Sequence, residues 1–342
     1  MPEPSLILPV LIIILSVGFG IVNGFNDAAN AIAASVGSRA ISPRNAIIMA
    51  TLLNFTGAAT GTAVAMTIGK GILVEEAIRY LPVIAGLATV IVWGTIATRL
   101  GMPVSITHSF VAGLAAAGVA VAGIGAIQWD ILQRVLASVV AAPILGFIGG
   151  FALMIILLWV FHRSAPDRMR VIFSRLQWLT TAFLAYSHGK NDGQMPIGVI
   201  TMTMVIYYAD IGKPEQAAAL WDNIPWWIIM ISALAISSGM AVGGWRVIRT
   251  VGMKITTLRP IHGFAAQASA AAVIEAASHL GIPVSTTHCA SAAIMGIGAT
   301  RRFSAVRWGV AGNIIAAWIL TFPICGGLGY LFAWLLKPFI LN

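Results

Sequence analysis

The sequence predicts an all-α polytopic membrane protein made of two inverted-topology repeats, with broken helices, re-entrant-type helical hairpins and about ten to twelve membrane segments. Three observations lead to this prediction. The composition is strongly apolar, two motifs each occur twice in the same order, and the net charge of successive loops alternates between basic and neutral or acidic.

The composition indicates that the protein lies in a membrane. Hydrophobic residues make up 59% of 342 positions and charged residues only 9%. So few charges cannot cover a soluble protein of this size, so most of the surface must face lipid. Runs at 6–25, 45–68, 131–161 and 224–245 are long enough to cross the bilayer as helices. No basic segment precedes the first run, so it is expected to remain as a helix and not to be a cleaved signal peptide.

The net charge and the cysteine content do not indicate a nucleic-acid partner or a disulfide framework. The net charge is +9, but no concentrated basic domain exists, which argues against a nucleic-acid partner. Two cysteines, Cys289 and Cys325, lie in apolar runs and are expected to be buried free thiols. No group of His, Cys and carboxylate residues has zinc spacing, and no cofactor is expected apart from a co-transported Na⁺ or H⁺.

A duplication divides the chain. GMPVSITH at 101–108 and GIPVSTTH at 281–288 share six of eight residues, and each follows an Asn-Asp pair, at 26–27 and 191–192. Two ordered motif pairs indicate an internal repeat. The predicted organisation is a first repeat at 1–161, a basic linker at 162–177 and a second repeat at 178–342.

Loop charges predict how the repeats are oriented. Segments 39–44, 162–177 and 246–259 are basic, whereas the loops near 75 and 215 are neutral or acidic. The positive-inside rule therefore places the linker in the cytoplasm and both termini outside, in a plasma (inner) membrane. Equivalent loops of the two halves then lie on opposite sides, which is typical of secondary transporters.

The Asn-Asp pairs indicate a cation site. Only Asp27, Asp192 and Glu275 lie well inside apolar runs, where an ionised group costs about 3 kcal/mol or more. Carboxylate, amide and hydroxyl oxygens suit a hard cation such as Na⁺. The alternative is that each aspartate caps a helix that starts at Ala28 or Gly193.

The PVSxTH motifs indicate an anion site. Pro103 and Pro283 break their helices, and a helix that begins just after the break offers free backbone N–H groups and its positive dipole end. The hydroxyls that would add to these donors are those of Ser105, Thr107, Ser285, Thr286 and Thr287. The alternative is a proline kink in which these hydroxyls satisfy loosened backbone. His108 and His288 are equally compatible with proton carriage and with helix packing.

These two motifs together predict one coupled site. An anion at the hairpin tips would be repelled by the aspartates unless cations lie between them, so neither ligand should bind well alone. A carboxylate can accept the proton of hydrogen phosphate, which sulfate lacks. Phosphate is therefore modestly favoured over sulfate.

At these residues the chain resembles the inorganic phosphate transporter (PiT) family. GFNDAANAIAASVG is similar to the family's first signature, SHGKNDGQMPIG to its second, and the two PVSxTH motifs to its hairpins. The resemblance covers both halves. It implies a cation-coupled phosphate symporter of inverted repeats that forms a homodimer, with a transport core that moves against a scaffold.

Residue roles follow from the motifs and from this resemblance. The phosphate-binding set is Asn26, Ser105, Thr107, Asn191, Ser285, Thr286 and Thr287. The Na⁺-binding set is Asn26, Asp27, Thr107, Asn191, Asp192, Gln267 and Thr287. Gln267 departs from the family pattern, since animal members have a glutamate there, and this difference bears on the number or kind of coupled cations. His188, opposite Asn23 in the first repeat, is a candidate for proton coupling. Lys190 is expected to snorkel or to contact phosphate.

The predicted function is secondary active, Na⁺-coupled symport of inorganic phosphate by alternating access. Proton-coupled uptake of phosphate or of a metal–phosphate complex is the alternative, as is a sulfate permease of the same fold. An anion channel is less consistent with two inverted sites, and no nucleophile spacing indicates an enzyme.

Overall fold

The computed structural model describes residues 6–340, so the two predicted extracellular ends, at 1–5 and 341–342, lie outside the described residues. Within that range the chain forms helices and no strand, and one isolated bridge joins Leu73 and Ile127. The α-helices are α1 (Ile7–Gly37), α2 (Pro43–Ala58), α3 (Ala63–Gly71), α4 (Tyr80–Leu100), α5 (Ile106–Ala122), α6 (Trp129–Val160), α7 (Pro166–Asp192), α8 (Gln194–Asp210), α9 (Pro214–Asp222), α10 (Trp226–Val242), α11 (Trp245–Arg249), α12 (Pro260–His279), α13 (Thr286–Arg301) and α14 (Trp308–Ile340).

Four of these helices are long and apolar enough to cross a membrane by length and composition, namely α1, α4, α6 and α14. The number rises to six if two bent pairs each count as one span, since α2 and α3 meet at 66° and α9 and α10 at 57°. The helical fold with broken helices is thus confirmed. The total of ten to twelve segments stays a prediction, because shorter helices such as α5 enter that total only if they are re-entrant.

Two helical hairpins, α4–α5 and α12–α13, are built alike. The first helix of each is followed by a glycine in the left-handed region, Gly101 at φ +73° and Gly281 at φ +66°, where a side chain would be strained. The second helix begins two residues after the Pro-Val pair. The prolines therefore interrupt the helices as predicted.

Each hairpin returns to the end of the molecule from which it started. The segment before α4 and the segment after α5 are joined by a hydrogen bond from Val74 N to Ala126 O (2.8 Å). Likewise Arg307 N, after α13, donates to Ile255 O, before α12 (2.9 Å). Both hairpins thus have the geometry of re-entrant elements.

Helices from the first half of the chain pack against helices from the second half. Hairpin helix α5 packs on α14 of the other half, and α13 packs on α6. In the same way α1 packs on α10 and α2 on α7. The hairpin tips therefore meet near the middle of the molecule, between the halves.

The predicted linker at 162–177 is largely helical. Helix α6 ends at Val160 and α7 begins at Pro166, so the stretch from 166 to 177 forms the first turns of α7. Pro166 takes a first-turn position, where its missing N–H costs nothing.

Helix α1 passes through two large apolar clusters. Its first part, with Ile12, Phe19 and Val22, belongs to one cluster, and its second part, from Ala28 to Val36, belongs to the other. The polar residues from 23 to 27 lie at the junction. The fold thus places the first Asn-Asp pair between two hydrophobic cores.

Candidate functional site

Two aspartates and one histidine from the two halves of the chain meet in the interior. His188 Nε2 lies 2.9 Å from Asp192 Oδ2 and 3.7 Å from Asp27 Oδ2. Asp27 is 2% exposed, and Asp192 and His188 are fully buried. One ligand atom from each of the three lies within 4.8 Å of the others, close enough for a single cation.

Neither aspartate caps a helix. Helix α1 runs without interruption through Asp27, and Asp192 is the last residue of α7. Gly193 stands at the N-cap of α8, and no side chain caps that helix. The capping interpretation is therefore wrong, and the two buried carboxylates need another source of stabilisation.

Hydroxyls from the hairpin tips provide part of it. Thr287 Oγ1 donates to Asp27 Oδ1 (2.9 Å) and Thr286 Oγ1 donates to Asp192 Oδ2 (2.8 Å). Thr107 Oγ1 lies farther off, 3.4 Å from Asp192 Oδ1. Each carboxylate is thus contacted by the hairpin of the other half of the chain, and Thr286 adds a contact that Ile106, at the matching position of the first hairpin, cannot make.

The two asparagines of the motif hold the hairpins. Asn191 Nδ2 donates to Asp192 Oδ1 (2.7 Å) and to the carbonyl of Val284 (2.9 Å). With its nitrogen turned toward the carboxylate, the Asn26 amide donates to Asp27 Oδ1 (3.1 Å) and to the carbonyl of Val104 (3.3 Å). Val104 and Val284 hold the same position in the two PVSxTH motifs, so each asparagine joins the neighbouring aspartate to the hairpin of its own half of the chain.

Two further asparagines belong to the site, although they are absent from the two predicted binding sets. Asn30 Nδ2 donates to Thr287 Oγ1 (2.8 Å) and approaches Thr286 Oγ1 (3.3 Å). Asn23 Nδ2 lies 3.5 Å from the carbonyl of Asp192. The signal was helical spacing, since Asn23 and Asn30 lie four residues before Asp27 and four after Asn26 on α1.

The predicted serines cap the hairpin helices. Ser105 Oγ accepts from His108 N (3.2 Å) and Ser285 Oγ accepts from His288 N (3.1 Å). Both are buried, and their caps fix the first turns of α5 and α13. Each hydroxyl keeps its own proton for another acceptor.

Gln267 is not brought to the carboxylates. Its Nε2 donates to the carbonyl of Ala31 (3.0 Å), and its Oε1 accepts from Thr181 (3.0 Å) and Thr180 (3.3 Å). Ala31 lies one helical turn beyond Asp27, so Gln267 belongs to a neighbouring polar group. Its predicted role as a direct Na⁺ ligand beside the aspartates gains no contact in this structure.

His188 is fixed on both sides. Its Nδ1 lies 2.5 Å from Asn54 Nδ2, so its Nε2 faces the two aspartates. The other motif histidines lie elsewhere. His108 and His288 contact each other with ring centroids 5.0 Å apart, and the His288 ring stacks on Trp318 at 4.1 Å.

Lys190 forms a separate charged group. It pairs with Glu275, and its Nζ lies 3.1 Å from His279 Nε2. Glu275 Oε1 also lies 3.1 Å from His279 Nε2. The charge of Glu275, the third acidic residue in an apolar run, is thus balanced by Lys190, and Glu275 is not part of the aspartate site.

The arrangement suits ion binding rather than chemistry. Two carboxylates converge, and no lysine or arginine among the described residues forms a salt bridge with them, so a cation or protons must balance their charge. The N-termini of α5 and α13, which favour negative charge, meet at the same place, where Thr287 Oγ1 lies 3.1 Å from the carbonyl of Val104. A buried site that favours both a cation and an anion is typical of a coupled transporter.

Comparison with known proteins agrees with this geometry. A profile of the phosphate transporter family matches residues 23–329. This chain belongs to the phosphate transporter family. It is 37% identical over 326 residues to a probable low-affinity inorganic phosphate transporter of Bacillus subtilis, covering 95% of this chain and 96% of the relative. A protein of Rhizobium meliloti with the same description is 36% identical over 324 residues, covering 94% and 95%.

A solved structure extends the comparison. The fold is similar to that of a sodium-dependent phosphate transporter, with a TM-score of 0.87, 28% identity, and coverage of 97% of this chain and 99% of that one. The protein is therefore an integral membrane phosphate transporter and not an enzyme.

Proposed function

We propose that this protein is a Na⁺-coupled symporter of inorganic phosphate that works by alternating access. The observation that carries the proposal is the meeting of Asp27 and Asp192 with hairpin hydroxyls from both repeats in one buried cluster. A solved relative of this fold is described as sodium-dependent, which agrees with Na⁺ as the driving ion.

Electrostatics favour coupling of the two ions. Phosphate at the N-termini of α5 and α13 would lie beside two carboxylates, and like charges in a buried site cost several kcal/mol. Na⁺ bound to Asp27 and Asp192 would remove that repulsion. The hydroxyls of Ser105 and Ser285, which keep a proton to donate, complete the phosphate site in this proposal.

Alternating access is supported by the pairing of the halves. The helix pairs between the halves and the matched hairpins are what two inverted repeats at 1–161 and 178–342 would produce. In the proposed cycle the hairpins and α1 and α7 expose the site to one side at a time.

The proposed orientation has a cytoplasmic linker in a plasma membrane. The basic segments lie near one another at one end, since Arg170 and Arg259 line one cavity together with Ser38, which directly precedes segment 39–44. The segments near 75 and 215 meet in another, lined by Glu75 and Pro214. The grouping agrees with the positive-inside rule. A homodimer, as the family resemblance implies, remains part of the proposal.

Uptake of labelled phosphate into proteoliposomes tests the driving ion. A Na⁺ gradient at equal pH should drive uptake, and a pH gradient without Na⁺ should not. Phosphate affinity should rise with Na⁺, and Na⁺ affinity should rise with phosphate by the same factor, because linkage is reciprocal. Phosphate affinity that does not depend on Na⁺ at fixed pH contradicts the proposal.

Proton coupling is the second candidate, and His188 is the observation that favours it. Its imidazole lies between the two carboxylates, where a proton could do the work of a cation. If a pH gradient alone drives uptake, His188→Gln should abolish that uptake. If both ions can drive uptake, His188→Gln should abolish only the proton-driven part and leave the Na⁺-driven part.

A further inference from the structure

A basic pocket lies where α13 ends and α14 begins, far along α13 from the transport site. Three arginines and three hydroxyl residues line a cavity of about 450 Å³. They are Arg301, Arg302, Arg307, Thr256, Thr257 and Ser304. We call this cavity the arginine pocket.

No acidic residue balances the arginine pocket from the chain around it. The segments 246–262 and 299–310, which form its walls, contain no Asp or Glu. Among the described residues, no salt bridge involves any of its three arginines. Three guanidinium groups beside one cavity repel each other, and a bound anion relieves that repulsion.

Part of the pocket is fixed by its own hydrogen bonds. Arg307 donates to the carbonyls of Met253 (3.1 Å) and Lys254 (3.3 Å), and Thr256 Oγ1 donates to Ala305 O (2.9 Å). Arg301 lies in the last turn of α13, where a cation is favourable beside the helix carbonyls. This position at the helix end explains Arg301. The side chain of Arg302, which is exposed in the same cavity, has no such local role.

The pocket lies where a membrane surface is expected. Helix α14, which starts at Trp308, is a candidate membrane span. Phe303 is 67% exposed and stacks on Trp308 with ring centroids 4.3 Å apart. Exposed aromatic residues at the start of a spanning helix mark the level of the lipid headgroups.

We propose that the arginine pocket binds the phosphate group of an anionic phospholipid. Guanidinium groups match phosphate oxygens in geometry, and basic pockets beside membrane helices bind anionic headgroups. The bound lipid would join the loop before α12 to the loop after α13, which contact each other through Thr256 and Ala305. It would thereby steady the hairpin whose other end carries Thr286 and Thr287.

Thermal unfolding of the purified full chain in detergent tests the assignment. Phosphatidylglycerol should raise the melting temperature, and phosphatidylcholine should not, because a ligand of the folded state stabilises it. In Arg301→Gln/Arg302→Gln the apparent affinity for phosphatidylglycerol should fall about tenfold or more. The control is Arg163→Gln/Arg168→Gln, two basic residues outside the pocket at the same predicted membrane face, and it should respond like the natural chain.

A second variant protects the test against misfolding of the first. Ser304→Asp adds one exposed carboxylate beside the arginines and should abolish the response to phosphatidylglycerol, whereas Ser304→Asn should retain it. Equal responses in all variants overturn the proposal, as does an equal loss in the linker control, which would indicate general surface charge. A stabilisation by inorganic phosphate that disappears in the arginine double variant, with no response to lipid, overturns the lipid assignment in favour of free phosphate.

Discussion

The two equivalent hairpin threonines should differ in importance. Thr107 and Thr287 occupy the same position in PVSITH and PVSTTH, so the sequence gives them equal weight. The structure does not. Thr287 Oγ1 donates to Asp27 Oδ1 at 2.9 Å, while Thr107 Oγ1 lies 3.4 Å from Asp192 Oδ1.

The substitution that isolates this difference is threonine to valine, which replaces the hydroxyl by a methyl group. In Thr287→Val, Asp27 loses a close donor and Asn30 loses the acceptor 2.8 Å from its Nδ2. Thr287 Oγ1 is also a proposed Na⁺ ligand, and a contact with a charged group contributes about 1.5–3 kcal/mol, so loss of this oxygen should lower the apparent cation affinity about ten- to a hundredfold. In Thr107→Val, Asp192 keeps shorter donors from Asn191 (2.7 Å) and Thr286 (2.8 Å), and the loss should stay within about threefold.

Phosphate uptake into proteoliposomes across a Na⁺ series measures both effects, with Thr287→Ser as the matched control that keeps the hydroxyl. Thermal melts should show a lower melting temperature for Thr287→Val than for Thr107→Val or Thr287→Ser, because Asp27 and Asn30 both lose a buried partner there. Equal losses in Thr287→Val and Thr107→Val, or a larger loss at Thr107, would refute the argument from distance.

Three other predictions follow from the described contacts. Asp27→Asn should reduce uptake by about a hundredfold or more with little change in melting temperature, because the amide keeps the volume but removes the charge partner of the cation. Uptake like that of the natural chain would mean that Asp27 holds no ion. Gly189→Ala should destabilise the fold by about 3 kcal/mol, because its Cβ would lie 2.1 Å from a backbone carbonyl of α2, whereas Gly312→Ala on α14, with nothing within 4 Å, should be neutral in the same thermal melt. An impermeant maleimide should label Glu215→Cys from outside and Arg163→Cys only after the membrane is permeabilised. The two native cysteines are buried, so background labelling should be low. The reverse labelling pattern would invert the proposed orientation.

The sequence alone determined that the surface faces lipid and that the fold is helical, and it pointed to polar residues that the structure brings together. A low content of charge in long apolar runs leaves only helices as spanning elements, because every backbone group must find its partner inside the helix. The repeated motifs identified both aspartates and the hairpin threonines, since a carboxylate in an apolar run is too costly to lack a role. Helical periodicity could also have pointed to Asn30, four residues after Asn26.

Tertiary structure decided which of these residues meet. Thr107 follows Asp27 in the same half of the chain, yet the packing of helices between the halves brings it to Asp192 and brings Thr287 to Asp27. The tertiary structure also places Gln267 and Lys190 away from the two aspartates. Gln267 accepts a hydrogen bond from Thr181, and Lys190 pairs with Glu275. Pairings across more than eighty residues depend on how whole helices pack, and local propensity and spacing carry no information about that packing.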